Sequence, residues 1–260
     1  MTAITAISAP SLNRQFLLTH WRELFRNRSN FYFVILFPFM MLGLFLGMNK
    51  ILSSAAEGQG PDFSVLVVPL ALCLGLSGTC MTLTAGPIAE YRQHGTLRIL
   101  GTTPVSRTRF IITHLAIRTV LAIVLVLAVA VVGIVLDIVG TAALWRSVLA
   151  AIPSSVLFLG LGYIIGSLLG SGQAATNVAT FVQLFVLFAS GVAFPLGLLS
   201  DAVKRVLDLL PTTYFGDLLY WVSGGSQRHM TWVDFAVVAV CAGLVVPVAI
   251  RTFRWEASNN

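Results

Sequence analysis

The sequence predicts an all-α integral membrane protein with six transmembrane helices, and three observations support this. The 260-residue chain has a mean hydropathy of +0.90, and 10% of its residues are charged, against about 25% in soluble domains. Five stretches contain no Asp, Glu, Lys or Arg, at 29–49, 63–89, 119–136, 147–200 and 235–250. These stretches are continuously apolar, unlike the alternating strands of about 10 residues that build membrane barrels.

Six spans follow from these stretches, because a membrane-spanning helix needs about 20 apolar residues. The stretch 147–200 is long enough for two helices, and it is interrupted by Gly170-Ser171-Gly172-Gln173, a typical turn sequence. Backbone polar groups in lipid must be satisfied within the segment, which a helix does alone. The predicted spans are 30–48, 63–88, 115–136, 148–169, 177–199 and 232–250.

The segments outside the spans also carry patterns. Residues 1–29 are expected to form a cytoplasmic segment, in which apolar residues of 12–27 recur on one helical stripe and predict an amphipathic helix in the membrane interface. Four glycines at 160–170 predict close helix packing in the fourth span. Between spans five and six, 201–211 and 217–221 are expected to form two short outer helices, and 251–260 a cytoplasmic tail.

The distribution of charge predicts the orientation. With both termini in the cytoplasm, eleven of the sixteen basic residues lie on the cytoplasmic side, and seven of the ten acidic residues lie outside. The sequence thus predicts a multi-pass protein of the cytoplasmic membrane. The net charge of +6 is explained by attraction to anionic membrane lipid, and no nucleic-acid partner is expected.

The sequence lacks the residue patterns that several kinds of chemistry require. The P-loop pattern G-x-x-x-x-G-K-[ST] is missing, because neither Lys50 nor Lys204 follows a glycine. The four histidines are scattered, and no acidic or basic residue is predicted deep in the bilayer, where proton-driven pumps usually keep one. We therefore expect no catalytic residue, no metal and no cofactor bound by this chain.

A polar segment, 89–114, separates the second and third spans. Its sequence places Glu90 and Arg92 directly after the second span, followed by Gly95-Thr96-Leu97 and then Thr103-Pro104-Val105-Ser106. The glycine and proline residues predict a short helix, a break in it, and a return of the chain into the membrane. The charged side chains are of the kind that bind a soluble partner protein. The alternative is an ordinary basic inner loop that only fixes topology.

This order of residues resembles the type-2 ATP-binding-cassette exporter permeases, the group that includes daunorubicin-resistance-type and nodulation-oligosaccharide exporters. A second patch agrees, at Ser190-Gly191, Phe194-Pro195 and Leu210-Pro211-Thr212-Thr213. One position departs from the pattern, since many members carry a second acidic residue where this chain has Arg92.

The resemblance implies a membrane subunit that is not an enzyme by itself. A separate P-loop ATPase chain would bind ATP and Mg²⁺, and a second permease subunit, identical or a sister chain, would complete the complex. The substrate would be amphiphilic: a drug, a lipid or a lipid-linked glycan. The residues implied in coupling to the ATPase are Glu90, Arg92, Gly95, Thr96, Leu97, Thr103 and Pro104.

The fifth span carries a polar stripe, because Thr176, Thr180 and Gln183 follow at helical spacing, with Phe181 and Phe185 on another face. Polar groups within a span usually bond a neighbouring helix or face a cavity. This pattern predicts either helix packing and a subunit interface or, as the resemblance implies, a substrate pathway between the first and fifth spans.

Two other functions stay open at this stage. An ATP-independent secondary transporter or channel would be favoured by an acidic residue deep in the membrane or by an internal repeat, and neither is visible in the sequence. A non-transporting membrane scaffold or immunity protein would differ from an exporter in lacking ATP turnover that responds to substrate.

Overall fold

The computed structural model describes residues 28–55, 64–95, 107–193 and 200–252, and within them the regular structure is all helical, without strands. Six of the helical units are long and apolar enough to cross a membrane, which confirms the predicted fold class. The helices are α1 (Arg28–Ala55), α2 (Ser64–Ser77), the π segment (Gly78–Thr82), α3 (Leu83–Gln93), α4 (Arg107–Val135), α5 (Ala143–Leu168), α6 (Gly172–Ala189), α7 (Asp201–Leu207), α8 (Pro211–Ser223) and α9 (Thr231–Thr252).

The second span, formed by α2, the π segment and α3, is the centre of the bundle. In its most apolar window, 94% of the residues are buried, against 17% for α1, 28% for α6 and 22% for α9. A helix that is apolar on all sides is buried, whereas the outer helices bury one face and expose the other. The other spans are therefore arranged around the second one.

Glycines on α5 allow this central span to be approached closely. A Cβ atom at Gly162 would lie 3.1 Å from the carbonyl oxygens of Cys80 and Met81, so a larger side chain would require the two helices to move apart. Gly166 lies against Ala85 in the same way. The predicted packing stripe is thus confirmed at these two positions, but a Cβ at Gly170 would meet no atom within 4 Å, because this residue follows the end of α5.

The turn between the fourth and fifth spans lies where the sequence predicted it. The last helical residue of α5 is Leu168, and the Ser171 hydroxyl accepts a hydrogen bond from the backbone amide of Ala174, which caps the start of α6. Serine is a favoured residue at this position because it satisfies an amide that lacks a helical partner.

Three helices begin several residues earlier than their predicted spans. α4 begins at Arg107, α5 at Ala143 and α6 at Gly172, although the predicted spans began at 115, 148 and 177, and α6 ends at Ala189 instead of at 199. Charged residues were used to end a span, yet a helix continues through them where their side chains have polar partners. As a result, His114 and Arg118 lie within α4, and 107–114 is not part of a loop.

The two short helices between spans five and six are present as α7 and α8, and α8 ends at Gly224, whose φ of 78° gives the left-handed cap that glycine favours. Contacts define two sides of the bundle. The ends of α3 and α5 meet through Arg92 and Ser167 on what we call the Glu90 side. On the opposite side, called the Asp217 side, Arg146 donates to the carbonyl of Trp221.

Candidate functional site

Glu90 lies near the end of α3, on the Glu90 side of the bundle, and its side chain is 44% exposed. The imidazole of His94, one helical turn later, lies 3.9 Å from its carboxylate. The helix stops just after, at Gly95, which has a φ of 69°. Glu90 is therefore an accessible carboxylate at the end of a rigid element, where a soluble partner can reach it.

Arg92 is directed into the bundle instead of towards solvent. Its guanidinium donates to the carbonyl oxygens of Gly166 and Ser167, in the last turn of α5. The last carbonyls of a helix have no helical partner, and a cation there also interacts favourably with the helix dipole. The departure from the family pattern at this position thus has a structural use within the chain.

The start of α6 closes onto α3 beside Glu90. A Cβ at Gly172 would lie 3.1 Å from the carbonyl oxygen of Gly86 and 3.2 Å from the Glu90 Cβ, and a Cβ at Gly86 would clash with the Thr176 hydroxyl. A polar groove of about 290 Å³ opens between these helix ends. It is lined by Gly86, Pro87, Glu90, Gln93, His94, Gly172, Gln173 and Thr176.

Four of the seven predicted coupling residues, Thr96, Leu97, Thr103 and Pro104, lie outside the described residues. The structure brings Glu90 and Arg92 together on α3, with Gly95 directly after that helix. It also places Thr176, which the sequence assigned to a separate feature, in the wall of the same groove.

The polar stripe of α6 divides into two parts. The hydroxyls of Thr176 and Thr180 donate to carbonyl oxygens of their own helix, one turn earlier. Gln183 instead crosses to the second span: its Nε2 donates to the carbonyl of Leu74 over 3.2 Å, and its Oε1 accepts from the Thr82 hydroxyl over 3.3 Å. Gln183 therefore joins α6 to the second span both before the π segment, at Leu74, and at its last residue, Thr82.

The same stripe faces a second, mainly apolar cavity of about 230 Å³ between α1, the second span and α6. Thr176 belongs to the walls of both cavities. The lining residues are Phe33, Val34, Phe37, Leu74, Gly78, Thr82, Thr176, Thr180, Gln183 and Leu184.

Phe181 and Phe185 face away from the bundle, 72% and 52% exposed. Large apolar side chains of α1 are exposed as well, among them Phe33 and Leu36. Such faces suit lipid or another membrane chain. The aromatic face and the polar stripe of α6 thus point to different surroundings.

A buried polar group that the sequence analysis missed lies between α4 and α5. The Tyr163 hydroxyl lies 2.6 Å from Nδ1 of His114, and the Arg118 Nε donates to the other ring nitrogen over 3.3 Å. All three side chains are at most 2% exposed. A buried histidine and a buried arginine are thus accommodated within α4, because the side chains satisfy one another.

A second missed group lies on the Asp217 side, where Asp217, His229 and Asp234 bring their donor atoms within 4.8 Å of one another. An aspartate within the apolar helix α8, and another in the first turn of α9, were the available signals. The sequence pattern placed Asp217 at the start of the second short outer helix and Asp234 near the end of a span, because the course of the loop between them cannot be predicted from it.

Comparison with known proteins identifies the family. A search of curated proteins finds no match. The family model described as "ABC-2 family transporter protein" matches residues 54–251, which is most of the chain and includes Glu90 and the whole of α6. With six apolar helices and no P-loop in its sequence, the chain is a multi-pass membrane permease. The chain belongs to the ABC-2 family of transporter proteins and is a permease subunit of an ABC transporter.

Proposed function

We propose that this permease exports an amphiphilic compound, such as a drug, a lipid or a lipid-linked glycan, across the cytoplasmic membrane, as the daunorubicin-resistance and nodulation types do. The observation that carries the substrate class is the cavity between α1, the second span and α6. Its wall is mainly apolar, with an amide and three hydroxyls at Gln183, Thr82, Thr176 and Thr180. Apolar walls with a few placed polar groups suit an amphiphile better than an ion.

A separate P-loop ATPase, which binds ATP and Mg²⁺, is proposed to dock on the Glu90 side. Glu90 offers an exposed carboxylate beside an open groove, and such a group makes strong charge-assisted bonds with a cationic partner. The neighbouring Thr96, Leu97, Thr103 and Pro104 would complete the contact. Because α3 continues into the centre of the bundle, a movement of its end is transmitted to the span that borders the cavity.

A second permease subunit, identical or a sister chain, is proposed to pack on the exposed faces of α1 and α6. These helices border the cavity and carry the exposed aromatic residues Phe33, Phe181 and Phe185. Two copies meeting there would enclose a pathway between them, and membrane lipid would cover the remaining apolar surface. The cavity wall would then be formed by both subunits.

The partner is tested by isolating the full chain from its native membranes in mild detergent and identifying what accompanies it by mass spectrometry. We expect a P-loop ATPase, which is lost in Glu90→Gln, because the contact needs the carboxylate. Asp137→Asn is the matched control, since it also removes one exposed negative charge, but from the loop after α4 on the other side.

Three results would contradict this assignment. They are the absence of any P-loop chain from folded wild-type protein, an equal yield of ATPase with Glu90→Gln, or an equal loss with Asp137→Asn. Transport in liposomes without ATP would instead support a secondary transporter or channel. An ATPase whose turnover responds to no amphiphile would support a scaffold.

The pathway is tested with a pair of substitutions on α6. Gln183→Leu removes the amide from the cavity wall, whereas Asn177→Leu removes an exposed amide of the same helix that lines neither cavity and bonds Gln173 over 3.0 Å. We expect Gln183→Leu to change the order in which amphiphiles stimulate ATP turnover, and Asn177→Leu to leave that order unchanged. The same order in both variants would remove the cavity from the pathway.

A further inference from the structure

The group on the Asp217 side is built from three separate elements. Asp217 belongs to α8, His229 to the segment after it, and Asp234 to the first turn of α9. Nδ1 of His229 lies 2.7 Å from an Asp217 carboxylate oxygen and 3.9 Å from an Asp234 oxygen. One imidazole nitrogen therefore lies between two carboxylates.

One carboxylate oxygen in this group has no hydrogen-bond donor. Asp234 is fully buried, and its Oδ2 accepts from the Gln227 amide over 3.3 Å, but its Oδ1, the oxygen that faces His229, has no hydrogen bond. A buried carboxylate oxygen without a partner is costly, and native proteins rarely retain one. The geometry thus leaves a ligand atom directed at the imidazole.

The charges of the group leave a deficit of positive charge. Arg228 bridges Asp217 and Asp208, with nitrogen–oxygen distances of 3.3 and 3.2 Å. Its guanidinium supplies the arginine charge beside this group in the described part of the chain. Two carboxylates therefore share this guanidinium, and the contacts of Asp234 are with His229 and Gln227. A bound divalent cation would compensate the two remaining negative charges.

The donors and their support fit a transition metal better than calcium or magnesium. An imidazole nitrogen with two carboxylate oxygens is a donor set of zinc-class cations, whereas calcium and magnesium prefer oxygen alone. Ligands at about 2.0–2.2 Å from zinc lie roughly 3.4 Å apart in a tetrahedron, and the two measured separations, 2.7 and 3.9 Å, bracket that value.

Contacts with neighbouring residues also hold these side chains in place. The ring of Tyr214 stacks on His229, with centroids 4.6 Å apart, and the backbone amide of His229 donates to Asp217. Gln227, which holds Asp234, is itself held by the Thr231 hydroxyl over 3.0 Å. Such supporting contacts are typical of metal sites, where they orient the ligands.

We propose that Asp217, His229 and Asp234 bind one divalent transition-metal cation of the zinc class and thereby tie α8 to the start of α9. The fourth coordination position is left for water or an exogenous ligand, because three protein ligands leave a tetrahedral site open. The site is independent of the ATPase contact, since it lies on the other side of the bundle.

The test titrates the metal-free, full-length chain in detergent micelles with Zn²⁺, using a histidine-free purification tag and a chromogenic chelator as competitor. We expect one Zn²⁺ per chain. Asp234→Asn, which keeps the size of the side chain, should weaken binding by roughly 100-fold or more, because loss of a mere supporting contact already costs about 10- to 100-fold. Asp137→Asn, the matched control on the same side, should bind as wild type does.

A second measurement needs no variant. Co²⁺ bound to the wild-type chain should give the intense visible absorption of a four- or five-coordinate site, and an equivalent of Zn²⁺ should abolish it. Absence of both Zn²⁺ binding and this absorption in folded wild-type protein would overturn the proposal. So would Zn²⁺ binding that Asp234→Asn leaves unchanged, because the metal would then be held elsewhere.

Discussion

Replacing Gly166 by alanine tests whether α5 and α3 are packed as closely as the structure shows. A Cβ at this position would lie 2.7 Å from the carbonyl oxygen of Ala85 and 3.0 Å from the Cβ of Ile88. Ordinary contacts begin at 3.4 Å, so the closest approach is short by about 0.7 Å. The obstructing atom belongs to the helix backbone and cannot rotate aside, and the two helices must therefore separate.

The change in the free energy of unfolding caused by Gly166→Ala follows from two opposing effects. Overpacking a close contact destabilises by about 1–3 kcal/mol, whereas alanine is favoured over glycine in a helix by about 1 kcal/mol. Gly243→Ala supplies the control, because Gly243 lies in α9 with no atom within 4 Å of its Cβ position. The difference between the two variants cancels the helix preference, and it should be about 1–3 kcal/mol.

The free energy of unfolding is measured in mixed micelles with increasing SDS, followed by tryptophan fluorescence. Gly166→Ala should unfold at a lower SDS fraction than wild type, and Gly243→Ala at an equal or a higher one. If the two variants unfold with the same free energy, the close contact between α3 and α5 does not exist, and the reasoning from it is refuted.

Two further substitutions address other contacts with the same assay. Gly216→Ala should destabilise by about 3 kcal/mol or more, because its Cβ would clash with the carbonyl oxygen of Ser190, a backbone atom; a cost equal to that of the Gly243 control would contradict the contact between α8 and the end of α6. Arg92→Ala should cost about 1.5–3 kcal/mol through its bond to the Ser167 carbonyl, whereas Arg251→Ala, at the exposed end of α9, should be nearly neutral. Equal losses would show that Arg92 acts only as surface charge.

The fold class was predictable because lipid imposes a strong pattern. Long charge-free stretches predicted all six spans. The sequence Gly170-Ser171-Gly172 located the turn between the fourth and fifth spans, α5 and α6. Span limits were less predictable, because a charged residue was taken as an end. Arg118 shows the reason: within α4 its Nε donates to His114, which is held in turn by Tyr163 of α5, a partner that no local pattern predicts.

The candidate site was predictable only in part. Glu90 could be found because its position after a span and before Gly95 is a local pattern. The groove beside it could not, because it depends on Gly172 from a distant span. The group of Asp217, His229 and Asp234 could not be predicted either. The loop between α8 and α9 brings these side chains together, and the sequence pattern does not determine its course.

The π segment has a consequence for how the second span is oriented. A π-helical turn holds one residue more than the α-helical ladder needs, and each residue of an α-helix turns the chain by about 100°. If the same residues were wound as an α-helix, without the π turn, all of α3 would rotate by that angle, taking Gly86 away from Thr176 and Glu90 away from Gly172. Deleting one residue within Gly78–Thr82 should instead remove the extra residue and leave α3 facing as it does. The π turn thus lets the second span hold one more residue while the direction in which Glu90 faces is kept.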